Sequence, residues 1–282
     1  MSGPARPPKI VALLPAWNAA PFIDATLSCL ARQTWLDFEV IVSVDQSTDE
    51  TLARCLRFAE NDARFRVIGQ KERLGWVGNV NALLSVAQGD YLLIAYHDDL
   101  LDPSHMETLA ALLDAHPDAA AAYSDVRAHY LHGETVDRVY REMDGVADPA
   151  ARALNIIRRK GFWSVPNHGL FRASAVARAG AFRTHRGGEF SADWPWLLRL
   201  SLAGAFVRAP GFLCDKHYKA ASLSHSWAWT LREFAGACED CAQAVAASDL
   251  PFPEKLRLWG AIAIELGKAA WRRSPPLFKP RA

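Results

Sequence analysis

Two adjacent carboxylates, Asp98 and Asp99, close the apolar run Tyr91-Leu92-Leu93-Ile94-Ala95. Burying that run fixes a strand in a core, so the acids emerge at its carboxyl end, where open α/β sheets bind ligands. Like charges this close raise one another's pKa. Magnesium or manganese, with its preference for oxygen ligands, would relieve that repulsion and clamp a diphosphate. The plainer reading is that one acid caps the helix beginning near Pro103. Asp45 directly follows the second expected strand, from which a carboxylate can reach a nucleotide base or ribose; capping the next helix explains it equally well. Asp193 lies in a glycine-containing loop that runs into a helix with an early Pro195. The helix macrodipole favours its anion, which suits a general base, and an N-cap role accounts for it too. His217 and His225 follow the last expected strand and are candidates to complete a metal shell.

These residues need a scaffold, and hydrophobic periodicity supplies one. Lys9 to Leu14 reads as a buried strand, and Ile23, Leu27 and Leu30 give the following helix a buried face. Phe38 to Val44 is a second strand, with a helix from about Glu50 to Glu60. Arg64 to Ile68 is a third strand, Val77 to Ala87 a helix, and Tyr91 to Ala95 the fourth strand. The order β-α-β-α-β-α-β implies an α/β fold with a mostly parallel sheet flanked by helices. A helix from Pro103, a strand over Ala119 to Tyr123, an aperiodic excursion over 129–150, and a strand over Asn167 to Arg172 follow. Asp193 then opens a helix, Phe206 to Cys214 is extended, and the pattern turns helical from Ser226.

The 282 residues, half of them hydrophobic, are enough for one large domain or a domain with an extension. A formal net charge of +1, from 32 basic and 31 acidic residues, argues against a general nucleic-acid binder. Five cysteines are an odd number without a secretory signal, which fits a reducing, cytoplasmic setting. Cys238-Glu-Asp-Cys241 lies in an expected helix and lacks a second ligand pair. No stretch approaches the roughly 18 apolar residues of a membrane span.

Taken in order, the blocks resemble an inverting family 2 glycosyltransferase of the GT-A fold. They are Pro15-Ala-Trp-Asn18, Gln33-Thr34, Phe38 to Asp49, Gly75 with Asn81, Gly89-Asp-Tyr91, Asp98-Asp99 and Asp102-Pro103, with Asp193 and Ser222 to Ser224 later. The resemblance implies a GT-A domain over residues 1–225 and a C-terminal helical extension over 226–282. It implies that Pro15, Trp17 and Asp45 cradle the donor nucleoside, that Asp98 lies near the ribose or metal, and that Asp99 ligates Mn2+ or Mg2+. Asp193 matches the catalytic base. The donor it implies is a nucleotide sugar, UDP by default. The acceptor is a saccharide or lipid-linked hydroxyl in cell-surface polysaccharide or glycolipid synthesis.

Three positions depart from the family pattern. Tyr96 stands where many members have the first acid of the DxD motif. Ala192 replaces the glutamate that commonly precedes the base, with Glu189 nearby. Lys219 falls where a histidine is usual, and a lysine there would neutralise diphosphate charge directly; His217 is a ligand only if the loop is shifted. Arg73, Lys216 and Lys219 are further cations for the leaving diphosphate. The rival reading is a non-catalytic nucleotide-sugar-binding or scaffold protein. A dehydrogenase would need a glycine-rich loop after the first strand, and Leu14-Pro-Ala-Trp-Asn-Ala has no glycine. Lys255 to Arg273 reads as a basic amphipathic helix, suited to peripheral contact with the inner membrane face or to packing on the catalytic domain.

Overall fold

The computed structural model of the chain describes residues 9–219 and 228–273. Ser222, Ser224 and His225 lie outside the described residues. The first half alternates as expected: β1 (Ile10–Ala16), α1 (Ile23–Ala31), β2 (Phe38–Val44), α2 (Thr51–Ala59), β3 (Phe65–Gly69), α3 (Gly75–Val86) and β4 (Tyr91–Ile94). The four strands run parallel in the order β3-β2-β1-β4. β1 is buried on both faces, with Val11 and Leu13 in one core cluster and Ile10, Ala12 and Leu14 in the other. That is why it reads as an unbroken apolar run rather than an alternation. The carboxyl ends of β1, β2 and β4 therefore meet at one sheet edge, where Trp17, Asp45 and Asp98 follow them.

The second half mixes strand directions. It comprises β5 (Asp99–Leu101), α4 (His105–Ala115), β6 (Ala119–His129), β7 (Thr135–Arg138), α5 (Pro149–Ile157), β8 (Leu170–Arg172), α6 (Ala173–Ala179), α7 (Asp193–Ala203) and β9 (Ala205–His217). β8 lies between β4 and β6, antiparallel to both. β6 and β9 pair in parallel, β5 runs antiparallel along β9, and β7 folds back on β6. Among the described residues this makes one nine-stranded sheet.

Three local expectations are revised, each with consequences for the site. Asp99 opens β5 instead of capping α4, whose entry is bridged by Asp102 accepting from the Ser104 amide at 2.8 Å. The strand expected over Asn167 to Arg172 is shortened to β8, because Val165–His168 forms a 3-10 turn. Pro166 lacks the N–H that a ladder requires, and Gly169 runs so close to β6 that a Cβ there would lie 2.4 Å from the Ala122 carbonyl. The aperiodic stretch over 129–150 contains the β6–β7 hairpin and the start of α5, where the Asp148 carboxylate accepts from the amides of Ala150 and Ala151.

Two long helices complete the described chain, α8 (Leu231–Ala247) and α9 (Phe252–Arg273). Thr230 and Glu233 form a reciprocal capping box at the start of α8. Phe234, Cys238, Cys241, Leu258 and Ile262 share a core cluster with Trp194 and Trp196 of α7, so these helices extend the core of the sheet domain. Cys238 and Cys241 are buried free thiols, and burial pushes Cys238 up to about 12, so neither is poised for redox or metal chemistry. Trp259 Nε1 donates to the Ala242 carbonyl at 3.1 Å, locking α9 onto α8. α9 also exposes Leu256, Ile264 and Trp271, and at its start Phe252, which packs edge-on against Trp259. No helix among the described residues is long and apolar enough to cross a membrane.

Candidate active site

The loops after β1 and β2 are tied together before they form a pocket wall. The Asn18 amide donates to Ser47 Oγ at 3.0 Å, the Thr48 amide to Asn18 Oδ1 at 2.9 Å, and the Ala19 amide to Thr51 Oγ1 at 2.7 Å. Asp45 is fully buried, and its carboxylate accepts from the Leu74 amide at 2.6 Å and from Arg73. The Arg73 guanidinium lies over the Trp17 ring, 3.9 Å from its centroid. Arg73 and Trp17 thus form one stacked unit at the sheet edge, an aromatic ring and a cation that are part-exposed, with the Asp45 carboxylate closed off behind the guanidinium. Pro15 contributes through its backbone: its carbonyl can only accept, so His97 Nδ1, 3.0 Å away, carries the proton.

The adjacent acids have different surroundings. Asp98 is half-buried; burial raises its pKa, the charge of Asp99 adds to this, and His97, Lys216 and Lys219 oppose it. Asp99 is 3% exposed. Burial alone would push its pKa up, but Lys216 and His168 outweigh that and hold it down at about 2. Lys216 faces it directly across the β5–β9 ladder, with Nζ 3.8 Å from Oδ2, and His168 Nδ1 is 2.9 Å from the same oxygen. That His168 contact is close but off-line, and neither Asp99 oxygen has a hydrogen bond of good geometry. Burial dominates at His168 and lowers its pKa, which favours the neutral ring.

Asp193 begins α7, where its Oδ2 accepts from Asn167 Nδ2 at 2.7 Å and its Oδ1 from Ser191 Oγ at 3.4 Å. Burial dominates here and raises the pKa, while the hydrogen bonds from Asn167, the backbone and Ser191 oppose the rise. Such an acid is a stronger base than a solvated aspartate. The Tyr96 hydroxyl is likewise pushed well up, first by burial and then by the charges of Asp193, Asp99 and Asp98. The charges of all three acids thus reach the Tyr96 hydroxyl.

Glu189 connects this cluster to Asp45. Its carboxylate accepts from the amides of Val77 at 2.9 Å and Trp76 at 3.3 Å, capping α3 next to the Leu74 amide that binds Asp45. Gly75, at φ 74, admits that carboxylate: a Cβ there would lie 2.4 Å from Glu189 Oε1. Glu189 thus anchors the loop that delivers Asp193, instead of standing beside the base as the glutamate preceding it would. Asn167 and His168 belong to none of the motifs, whereas Tyr96 stands at the first acid position of the family's DxD motif. The only sequence signal for the first two was a proline and a glycine flanking Asn167-His168.

The expected divalent-metal site is not what the residues build. His217 stacks on His129 with ring centroids 4.6 Å apart, whereas Lys216, one residue earlier, faces Asp99. Side chains alternate across a strand, so His217 points away from the acids. The metal-competent cluster among the described residues is Asp99, His168 and Cys214, all buried. Mn2+ and Mg2+ take oxygen ligands, the Cys214 thiol is pushed well up by burial, and an ammonium already faces Asp99. A hard divalent ion does not fit that set. Asp98 is left as the one acid of the pair facing the sheet edge, beside cations.

Four parallel strands flanked by helices, with Trp17, Asp45 and Asp98 following their carboxyl ends and Asp193 opening α7, define an α/β fold of the GT-A class. The family model for Glycosyl transferase family 2 matches residues 12–179, and the chain belongs to that family. An uncharacterized protein of Sinorhizobium fredii is 30% identical over 194 residues, 68% of this chain and 20% of that protein. An uncharacterized glycosyltransferase of Haemophilus influenzae is 27% identical over 191 residues, 67% of this chain and 57% of the relative. The chain thus spans 20% and 57% of these curated relatives. TarS of Staphylococcus aureus, solved with UDP-GlcNAc, superposes with a TM-score of 0.74 at 19% identity, covering 94% of this chain and 73% of that one. A Pyrobaculum calidifontis mannosyltransferase solved with GDP-Man and Mn2+ gives 0.60 at 20% identity, covering 96% and 77%.

Proposed function

We propose that the chain transfers a sugar from a nucleoside-diphosphate donor, UDP-linked by default, to a hydroxyl acceptor with inversion at the anomeric carbon. Trp17, Arg73, Asp45 and the Pro15 backbone hold the nucleoside, and Asp98 faces the ribose and diphosphate. The acceptor oxygen attacks the anomeric carbon from the side opposite the diphosphate, Asp193 takes its proton, and the carbon–oxygen bond to the diphosphate breaks. The observation that carries this reading is Asp193: a half-buried carboxylate at the start of α7, oriented by Asn167 and with its pKa raised by desolvation.

The acceptor is a saccharide or lipid-linked hydroxyl of cell-surface polysaccharide or glycolipid synthesis, and the site of action is the cytoplasm, at the inner membrane face. The exposed apolar residues of α9 support membrane contact. Asp193→Asn tests the base role. Transfer should fall by about two or more orders of magnitude, the usual scale of general base catalysis, with donor affinity nearly unchanged. Normal turnover by this variant would refute the assignment. Nucleotide binding by the unaltered chain with neither transfer nor donor hydrolysis would favour the non-catalytic reading.

A further inference from the structure

Two lysines converge where a metal-dependent enzyme would hold its ion. Lys216 reaches the site because β9 pairs with β5 in a register that sets it opposite Asp99, with Nζ 3.8 Å from Oδ2. Lys219 Nζ lies 4.6 Å from the centroid of the Phe22 ring, and the same ring stacks on His97 at 5.3 Å. Lys219, Phe22 and His97 thus form a column that ends on the residue preceding Asp98. The charges of Lys216 and Lys219 both act on Asp98. Asp99 is turned inward with both oxygens closed to solvent, its charge answered by Lys216 and the His168 ring lying alongside. A divalent ion placed at Asp98 would meet two ammonium groups and one accessible acid, and it would gain neither His217 nor Asp99 as a ligand.

We propose that Lys216 and Lys219 replace the divalent metal, so that this chain binds a nucleoside diphosphate, and stabilises it as a leaving group, without a metal ion. The inference rests on the donor reading above. A diphosphate brings several negative charges, and Lys216 and Lys219 supply two positive charges at this place, as many as a divalent ion would. Lysine suits this role because its ammonium has three rotatable donors and acts as a compact point charge on phosphate oxygens. Asp98 then positions the lysines instead of ligating an ion.

The test is calorimetric titration of UDP, GDP and dTDP into the full chain, first stripped with chelator and then supplied with manganese. One of the three should bind the stripped protein, and manganese should change its affinity by less than about three-fold. Lys219→Met should weaken binding to stripped protein about ten-fold, equivalent to about 1.4 kcal/mol. Lys219→His, which supplies an imidazole ligand, should recover affinity only with manganese. Circular dichroism and melting of each variant establish that it is folded. Binding by the unaltered chain only with manganese would overturn the lysine proposal and leave the donor reading standing. Full affinity of Lys219→Met in chelator would also overturn it. Binding of no nucleotide under either condition would remove the donor reading and this inference together.

Discussion

Replacing Lys216 by methionine keeps an unbranched side chain one atom shorter and removes its charge, which tests the ion-pair contribution at Asp99. Asp99 titrates at about 2 against an ordinary 3.8, a difference worth roughly 2 kcal/mol in favour of the ionised form. With the ammonium gone, Asp99 keeps only its off-line contact with His168, and burial again pushes its pKa up. Breaking a buried pair on one side costs on the order of 3 kcal/mol, so the variant should lose about 2–3 kcal/mol of unfolding free energy at neutral pH. The pH dependence follows from the sign of the shift. Because the folded pKa lies below the unfolded value, the contribution is complete above about 4 and is lost as pH falls toward about 2. In the variant Asp99 protonates at higher pH, so the stability gap between the two proteins should narrow on acidification. Urea denaturation followed by tryptophan fluorescence, repeated across pH, measures this gap. A gap below about 0.5 kcal/mol at neutral pH, or one independent of pH, would show that Lys216 does not hold the Asp99 charge.

Three further outcomes follow from the geometry. Asn167→Ala removes a hydrogen bond to the ionised form of Asp193, and such bonds are worth roughly 1.5–3 kcal/mol. The acid limb of the kcat/KM profile should therefore move up by about one pH unit or more, and an unmoved limb would exclude Asn167 as the positioning residue. Gly75→Ala forces a side chain into a left-handed backbone and against Glu189, so it should destabilise by ~1–2 kcal/mol; a stability equal to the parent in denaturant melts would contradict the crowding at α3. Flotation with anionic vesicles should carry the chain upward, and Leu256→Glu with Ile264→Glu should abolish this; equal flotation of both would dissociate α9 from membrane contact.

The first half of the fold was legible in the sequence because β1, β2 and β3 are each a short run followed by a polar loop and a helix, and β4 is an unbroken apolar run. Asp45, Asp98 and Asp193 were legible for a related reason: each stands at the end of a strand or the start of a helix, where local pattern marks the boundary. The aperiodic stretch over 129–150 and the 3-10 turn were not, since their conformations depend on packing against β6 and on what a proline and a glycine permit there.

What the sequence by itself determined is the chain of apolar strands and the acids that terminate them. Only the tertiary structure decided what each acid faces. Asp98 and Asp99 are neighbours with the same chemistry, yet one opens toward the sheet edge and the other is buried against a lysine from a strand far along the chain. The register of β9 chose Lys216 over His217 for that contact, and the turn before β8 chose Asn167 as the partner of Asp193. Local pattern records which residues are polar and where an element ends. The electrostatic environment of a side chain depends on non-local pairing and burial, which arise only when distant segments pack together.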